Sequence, residues 1–370
     1  MKIGIPKEIK NNEYRVGMTP ESVAEAVHHG HRVLVETEAG LGISATDDDY
    51  RAAGAEVVDS AAEVFERAEM IVKVKEPQAA ERARLREGQI LFTYLHLAPD
   101  PDQTRDLVDS GAVCIAYETV TDSAGGLPLL KPMSQVAGRM SIQAGASALE
   151  KSHGGRGLLL GGVPGVAPAK VVVIGGGVVG FNAAQIAVGM HADVTILDRN
   201  PATLERLSNH FEASAKVVFS TRQALIDYVL QADLVIGAVL IPGAAAPKLV
   251  TRAMLDQMAP GAAIVDVAID QGGCFETSRA TTHADPTYIE HGVVHYCVAN
   301  MPGAVARTST YALNNATLPF TLKIADLGWK AALSTDPHLR QGLNVCAGKV
   351  TCEAVAQALG YPFVPVEQVL

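Results

Sequence analysis

Ten residues, Val171-Val-Val-Ile-Gly-Gly-Gly-Val-Val-Gly180, constrain this chain more than any others. A β-branched apolar run passes into Gly175-x-Gly177-x-x-Gly180, and an apolar helical pattern follows. A second apolar run ends in Asp198, eighteen residues after Gly180. Each part answers a mechanical need. Gly175 permits a tight turn, Gly177 lets backbone N–H groups approach a pyrophosphate, and Gly180 lets the helix pack closely on the strand. The helix N-terminus adds orphan N–H donors and the positive end of a dipole. Asp198 is placed to accept hydrogen bonds from adenosine ribose hydroxyls. A lone GxGxxG is weak evidence, since glycine-rich turns also join ordinary core elements. Strand, helix and distal acid together predict a bound dinucleotide. A carboxylate at 198 repels a 2′-phosphate and favours NAD over NADP. Arg199 follows directly and softens that preference.

At 370 residues the chain has room for two domains. Hydrophobic residues at 48% allow a large core, and charged residues at 19% fall below the usual quarter. This is the composition of an α/β enzyme, and the low charge also suits burial of surface between subunits. Net charge is −10 with no basic block, which argues against nucleic acid as a partner. Cys114, Cys274, Cys297, Cys346 and Cys352 show no CxxC spacing and an odd count. A disulfide framework is not expected, and a reducing cytoplasm fits. The N-terminus lacks an apolar signal core. The longest apolar stretch, Leu234 to Pro247, is broken by glycines and Pro242, and is short of the about 20 residues a bilayer span needs.

From about Lys170 to Val298 the pattern is that of a doubly wound sheet. Candidate strands are Val171–Ile174, Asp193–Leu197, Lys216–Phe219, Leu234–Ala238, Ala263–Val267 and Val293–Cys297. Helical patterns at Val178–Met190, Ala202–Phe211, Thr221–Leu230 and Arg252–Met258 separate most of them. Strands alternating with helices imply a parallel sheet, and six strands suffice for two mononucleotide-binding halves. The first 127 residues repeat an α/β cadence without a glycine fingerprint. Strands are expected at Lys2–Ile5, Arg32–Val35, Met70–Lys73, Ile90–Thr93 and Val113–Ala116, with helices such as Pro20–His29 and Asp102–Ser110. Long helices are expected at Pro132–Glu150 and at Asn314–Lys330, the latter with Pro319 near its start. The fold class is therefore α/β with two Rossmann-like domains. The nucleotide domain, 129–306, is inserted into a discontinuous domain made of 1–128 and 307–370. A cleft between them would hold substrate against the nicotinamide.

Polar groups stand at predicted strand ends in apolar surroundings, where open α/β sheets bind ligands. Asp270 lies just past the strand in Ile264-Val-Asp-Val-Ala-Ile-Asp270, Lys75 in Met70-Ile-Val-Lys-Val-Lys75, and His96 in Leu91-Phe-Thr-Tyr-Leu-His96. Arg15 sits in a polar turn after the first strand. Arginine can grip a carboxylate with two parallel hydrogen bonds, lysine adds a point charge, and histidine transfers protons near neutral pH. The bland alternatives are a capping histidine, solvated Lys and Arg, and an aspartate capping the following glycine turn. His28, His29 and His31 read as a solvated edge. His283, His291 and His295 have loose spacing with no partner Cys or Asp at ligand distance, so no metal is expected.

These segments together resemble the L-alanine dehydrogenase family over essentially the whole chain. The resemblance is carried by Gly4-Ile-Pro-Lys-Glu-Ile-Lys, Glu13-Tyr-Arg-Val-Gly, Val72-Lys-Val-Lys-Glu-Pro, Leu91-Phe-Thr-Tyr-Leu-His-Leu-Ala and Leu159-Leu-Gly-Gly-Val-Pro-Gly-Val, then by the glycine fingerprint. Ile236-Gly-Ala-Val-Leu-Ile-Pro-Gly, Val265-Asp-Val-Ala-Ile-Asp-Gln-Gly-Gly-Cys and Val298-Ala-Asn-Met-Pro-Gly-Ala-Val complete it. It implies NAD-dependent oxidative deamination of L-alanine to pyruvate and ammonium, the reverse amination, and a homohexamer. It also implies that Arg15 and Lys75 bind the substrate and that His96 and Asp270 are catalytic. Cofactor positions implied beside Gly175, Gly177 and Gly180 are Ser134, Val178, Val179, Asp198, Ser220, Val239, Leu240 and Arg279. The stretches Val267-Ala268-Ile269-Asp270 and Val298-Ala299-Asn300-Met301 join them. Thr203 falls at a further cofactor position where the family often has a basic residue, which weakens any charge contact there. Rival readings are the NAD-binding component of a proton-translocating transhydrogenase, a saccharopine-type amino-acid dehydrogenase, and a nucleotide-sensing module without turnover. Arg15, Lys75, His96 and Asp270 argue against the first, which has no carboxylate to hold.

Overall fold

The computed structural model describes residues 1–239 and 246–370. It divides into two units, Met1–Met133 with Gly303–Leu370, and Ser134–Pro302. In the first, strands β1 (Lys2–Ile5), β2 (Arg32–Glu36), β3 (Glu56–Val58), β4 (Met70–Val72), β5 (Ile90–Thr93) and β6 (Val113–Ala116) run parallel in the order β6-β5-β4-β1-β2-β3. The second unit contains β7 (Lys170–Ile174), β8 (Asp193–Asp198), β9 (Lys216–Phe219), β10 (Leu234–Gly237), β11 (Ala263–Asp266), β12 (Thr287–Glu290) and β13 (Val293–Tyr296). Their order is β12-β13-β11-β10-β7-β8-β9, with β12 antiparallel to β13 and the other pairs parallel. The six parallel strands thus follow the 3-2-1-4-5-6 order of a dinucleotide-binding sheet. The C-terminal segment returns to the first sheet as β14 (Leu343–Cys346), antiparallel to β6, and β15 (Lys349–Val350), antiparallel to β14.

Continuous apolar strands are explained by burial on both faces. In β7, Val171 and Val173 enter one core cluster while Val172 and Ile174 enter another. Ala263 and Val265 of β11 likewise face the first cluster, and Ile264 the second. Each sheet has a point where strand order reverses: between β1 and β4 in the first unit, and between β7 and β10 in the second. Ligands bind beyond the strand C-termini at such points, so the loops after these strands are where side chains matter.

Some expectations need correction. Strands β3, β12, β14 and β15 were not anticipated; β3 and β12 are short edge strands, and β12 is only partly buried. The last long helix runs Ala306–Leu327, so Pro319 lies in its interior instead of near its start. Its first turns were obscured because its buried face is polar: Ser309, Thr310, Asn314, Thr317 and Thr321 are all buried. Asn314 shows why. Its Oδ1 accepts from the Thr19 N–H at 2.9 Å, and its Nδ2 donates to the Gly17 carbonyl at 2.8 Å.

Candidate active site

The glycine turn has the geometry its sequence requires. Gly175 takes φ +98°, and a Cβ there would sit 2.8 Å from the Ala238 carbonyl oxygen. A Cβ at 180 would stand 1.8 Å from the Gly175 oxygen, an impossible contact. At Gly177 a Cβ would meet nothing within 4 Å. The turn is therefore tight beneath and open above, which is the fit a pyrophosphate needs. Helix Val178–Gly189 begins at this point, with Val178 exposed and Val179 buried. Val239 lies beside the turn, its Cγ2 being 3.3 Å from where a Gly175 Cβ would stand. Leu240 lies outside the described residues.

Asp198 ends β8 and grips the turn: its Oδ2 accepts from the Gly176 N–H at 2.6 Å, and its Oδ1 from Asn200 N–H at 2.8 Å. Ser220 follows β9 and donates its N–H to the Asp198 carbonyl at 2.8 Å. Arg199 Nε donates to the Ser220 carbonyl at 3.3 Å. Thr203 stands on helix Pro201–Phe211 with its Cγ2 against Gly176. Ser134 lies near the start of helix Lys131–Ala148 and is half-buried.

Strand β11 ends at Asp266, and Asp270 sits four residues further on, exposed on the short turn Ile269–Gln271. The strand-end residue that sequence reasoning missed is Asp266 itself. It is fully buried, accepts from the N–H groups of Ala268 at 3.1 Å and Cys274 at 2.9 Å, and takes the Ser278 hydroxyl. Burial pushes its carboxyl above the usual range, against those hydrogen bonds. It ties both ends of the Asp270 loop. Within that loop Val267 is half-buried, and Ala268 and Ile269 are buried. Arg279 lays its guanidinium 3.7 Å from the Tyr288 ring centroid. Val298 and Met301 pack into the unit's core, Ala299 is half-buried, and Asn300 adopts φ +65° while its carbonyl meets His283 Nε2 at 3.1 Å.

In the first unit Lys75 and His96 follow the adjacent strands β4 and β5, and Arg15 lies in the segment after β1. Arg15 is not in a solvated turn: it is 2% exposed. Its Nε and Nη2 each donate at 2.6 Å to the two oxygens of Glu13, and Nη1 faces Met133 Sδ at 3.0 Å. The two-pronged grip expected for a substrate carboxylate is in this structure given to Glu13. Burial works against the charge on Arg15, but Glu13 and, more weakly, nearby Tyr94 and Glu8 raise its affinity for a proton. Tyr94 also stacks parallel to His96, with centroids 5.7 Å apart. Arg15 and His96 therefore share Tyr94 as a neighbour.

Carboxylates also hold the other two residues, and none of these partners was anticipated. Glu8 Oε1 accepts the N–H groups of Val74 at 2.7 Å and Lys75 at 3.2 Å. Its other oxygen pairs with buried Lys73 at 2.9 Å, which reaches Glu81 at 2.7 Å. The Lys75 ammonium lies 3.8 Å from Glu76. Glu118 accepts the N–H groups of Leu95 at 3.2 Å and His96 at 2.6 Å, and stands 3.8 Å from His96 Nδ1. His96 adopts φ +51°, a left-handed conformation that marks a position held by its surroundings. Its side chain is 45% exposed. His31, read as a solvated edge, is buried with Nε2 at 2.8 Å from Asp326. His295 is buried against Tyr288, and burial lowers its affinity for a proton. No group of His, Cys, Asp or Glu that could hold a metal occurs among the described residues.

Two sequence families match in series. The one described as alanine dehydrogenase/PNT, N-terminal domain, covers residues 4–137, and the one described as alanine dehydrogenase/PNT, C-terminal domain, covers 141–353. The chain is 61% identical to the alanine dehydrogenase of Halomonas elongata over 98% of each protein. The chain belongs to the alanine dehydrogenase family. A solved L-alanine dehydrogenase superposes with a TM-score of 0.95 at 52% identity, over 97% of this chain and 99% of that one. The family's architecture is shared with a transhydrogenase from Sinorhizobium meliloti, at a TM-score of 0.82 and 27% identity over 96% of this chain and 100% of that one.

Proposed function

We propose that this chain is an NAD-dependent L-alanine dehydrogenase. It would convert L-alanine and water to pyruvate and ammonium, and run the reverse amination. The observation that carries the reading is the pairing of two features. One unit holds a glycine turn open above Gly177, and the other holds Lys75 and His96 at neighbouring strand ends, with Arg15 sharing His96's neighbour Tyr94. Similarity to alanine dehydrogenases across the full length supports the choice of substrate.

NAD supplies a hydride acceptor. Loss of hydride from the α-carbon leaves an iminium, water adds to it, and the carbinolamine collapses to pyruvate and ammonia. Lys75 and Arg15 are the residues for the substrate's carboxylate and oxygen. His96, aimed by Glu118 and Tyr94, moves protons at the substrate oxygen, and Asp270 serves as the second proton-handling group. The cofactor set is Gly175, Gly177, Gly180, Asp198 and the further positions named above. We also propose a cytoplasmic homohexamer; no helix among the described residues is long and apolar enough to cross a membrane. The test is a screen of L-amino acids with NAD and NADP, without partner proteins, read at the reduced-nicotinamide absorbance. L-alanine with NAD should dominate. No NADH from L-alanine, or reduction only in the presence of a second nucleotide and a membrane subunit, refutes the reading.

A further inference from the structure

The glycine turn is gripped from beneath by two side chains of opposite charge, and one of them has so far no role. Gly176 gives its N–H to Asp198, and its carbonyl accepts from Arg206 Nη2 at 2.8 Å. Arg206 stands on helix Pro201–Phe211, and its guanidinium also lies 5.2 Å from the ring centroid of Phe181 on helix Val178–Gly189. Leu207 closes the underside, since a Cβ at 176 would meet its Cδ1 at 2.5 Å. One residue later the surroundings are open, as the Gly177 position shows.

The peptide between Gly176 and Gly177 is trans, so its C=O and N–H point in opposite directions. With the carbonyl held on Arg206, the Gly177 N–H is turned away from that side chain. Gly177 is the N-cap of a twelve-residue helix, and the first N–H groups of a helix have no partner within it. Together with the helix dipole they suit an anion. A flipped peptide would present a carbonyl oxygen to the phosphates in place of a donor.

We propose that Arg206 is a positioning residue for the dinucleotide pyrophosphate. It locks the Gly176–Gly177 peptide in the orientation that offers the Gly177 N–H, and it places a positive charge behind the turn. The inference rests on the NAD reading above. The test titrates the full chain and its R206Q and R206K variants with ADP-ribose, which carries the pyrophosphate without the nicotinamide. Adenosine, which has no phosphate, is the control. R206Q should weaken ADP-ribose about tenfold, the scale of one charge-assisted hydrogen bond, with adenosine binding unchanged. R206K should fall between, because an ammonium can reach the Gly176 carbonyl but cannot spread over Phe181. In turnover the loss should fall on KM for NAD more than on kcat. If the parent binds no ADP-ribose, the NAD reading itself fails. If the parent binds it and R206Q, with an unchanged Tm, binds it equally, only the role of Arg206 is overturned. Equal losses for ADP-ribose and adenosine also overturn it, since the turn would then have collapsed. Should R206Q not fold, R206K binding ADP-ribose as tightly as the parent overturns it as well.

Discussion

Lys73 offers the sharpest test of how the substrate-side loops are held. Its ammonium has no exposed surface and lies between Glu8 and Glu81, whose side chains are 2% and 3% exposed. Lys73→Met keeps the length of the side chain and removes the only cation of that triad, leaving two carboxylates facing each other in the core. Breaking a buried pair by removing one partner costs roughly 3–5 kcal/mol. For a unit of about 200 residues each kcal/mol moves Tm by about 2–4 °C, so the melting temperature should fall by about 6–20 °C. The sign of the pH dependence follows from Glu8. Burial already holds its carboxyl above the ordinary value of 4.5, with Lys73 the main opposing influence. Without Lys73 the folded state binds that proton more tightly still. A group raised in this way favours the fold below its unfolded pKa and loses that contribution as pH rises through its folded pKa. The deficit of K73M relative to the parent should therefore be large at pH 8 and shrink toward pH 5. Function should follow, because Glu8 also fixes the N–H groups of Val74 and Lys75; KM for L-alanine should rise. Circular-dichroism melts at the two pH values decide the matter. A Tm within about 2 °C of the parent at pH 8, or a deficit indifferent to acid, would refute the reasoning. Neutralising the whole group as E8Q/K73M/E81Q should recover most of the loss.

Two further outcomes are expected. His96→Ala should lower turnover roughly 10²–10⁴-fold with far less effect on NADH affinity, measured by fluorescence titration; near-normal turnover would end its assignment as acid/base. Gly180→Ala must push helix Val178–Gly189 away from the Gly175 carbonyl, since its Cβ would stand 1.8 Å from that oxygen. Overpacking of this kind costs about 1–3 kcal/mol, so both Tm and NADH affinity should drop, and a variant with unchanged dinucleotide affinity would show that the close packing is not needed.

Much of the second unit was legible because its strands are buried on both faces. The apolar runs at Val171–Ile174 and Ala263–Val265 feed two cores, as strands of a parallel sheet with helices on both sides do. Glycine positions were legible for the same reason that they are strict: at 175 and 180 no side chain fits. What stayed hidden was polar and distant in sequence. Glu118 reaches His96 across 22 residues and Glu8 reaches Lys75 across 67, and no periodicity links such pairs. The burial of Arg15 was not legible because its partner, Glu13, is itself polar and two residues away. The helix at Ala306–Leu327 began earlier than its apolar pattern because Asn314 and Thr310 satisfy backbone groups of Val16–Thr19 instead of packing on aliphatic neighbours.

The carboxylates at these strand ends share one physical task. Past the C-terminal end of a parallel strand the backbone leaves its ladder, and N–H groups that have lost a strand partner must find another acceptor or face a desolvation cost of about 1–3 kcal/mol each. Here a carboxylate supplies it repeatedly: Glu8 for Val74 and Lys75, Glu118 for Leu95 and His96, Asp198 for Gly176, and Asp266 for Ala268 and Cys274. One carboxylate can serve two amides because it offers about four lone-pair sites. At Asp266 the two amides point at different oxygens, so an asparagine would present an N–H₂ to one of them, whereas at Glu8 both amides share Oε1 and the second oxygen takes Lys73. Replacement by the amide should therefore harm the Asp266 loop more than its shape suggests. The loops so fixed are those that carry Lys75, His96, the glycine turn and Asp270. Rigid placement of chemistry-bearing groups comes from partners behind them, and in this chain those partners are anions satisfying backbone amides at strand ends.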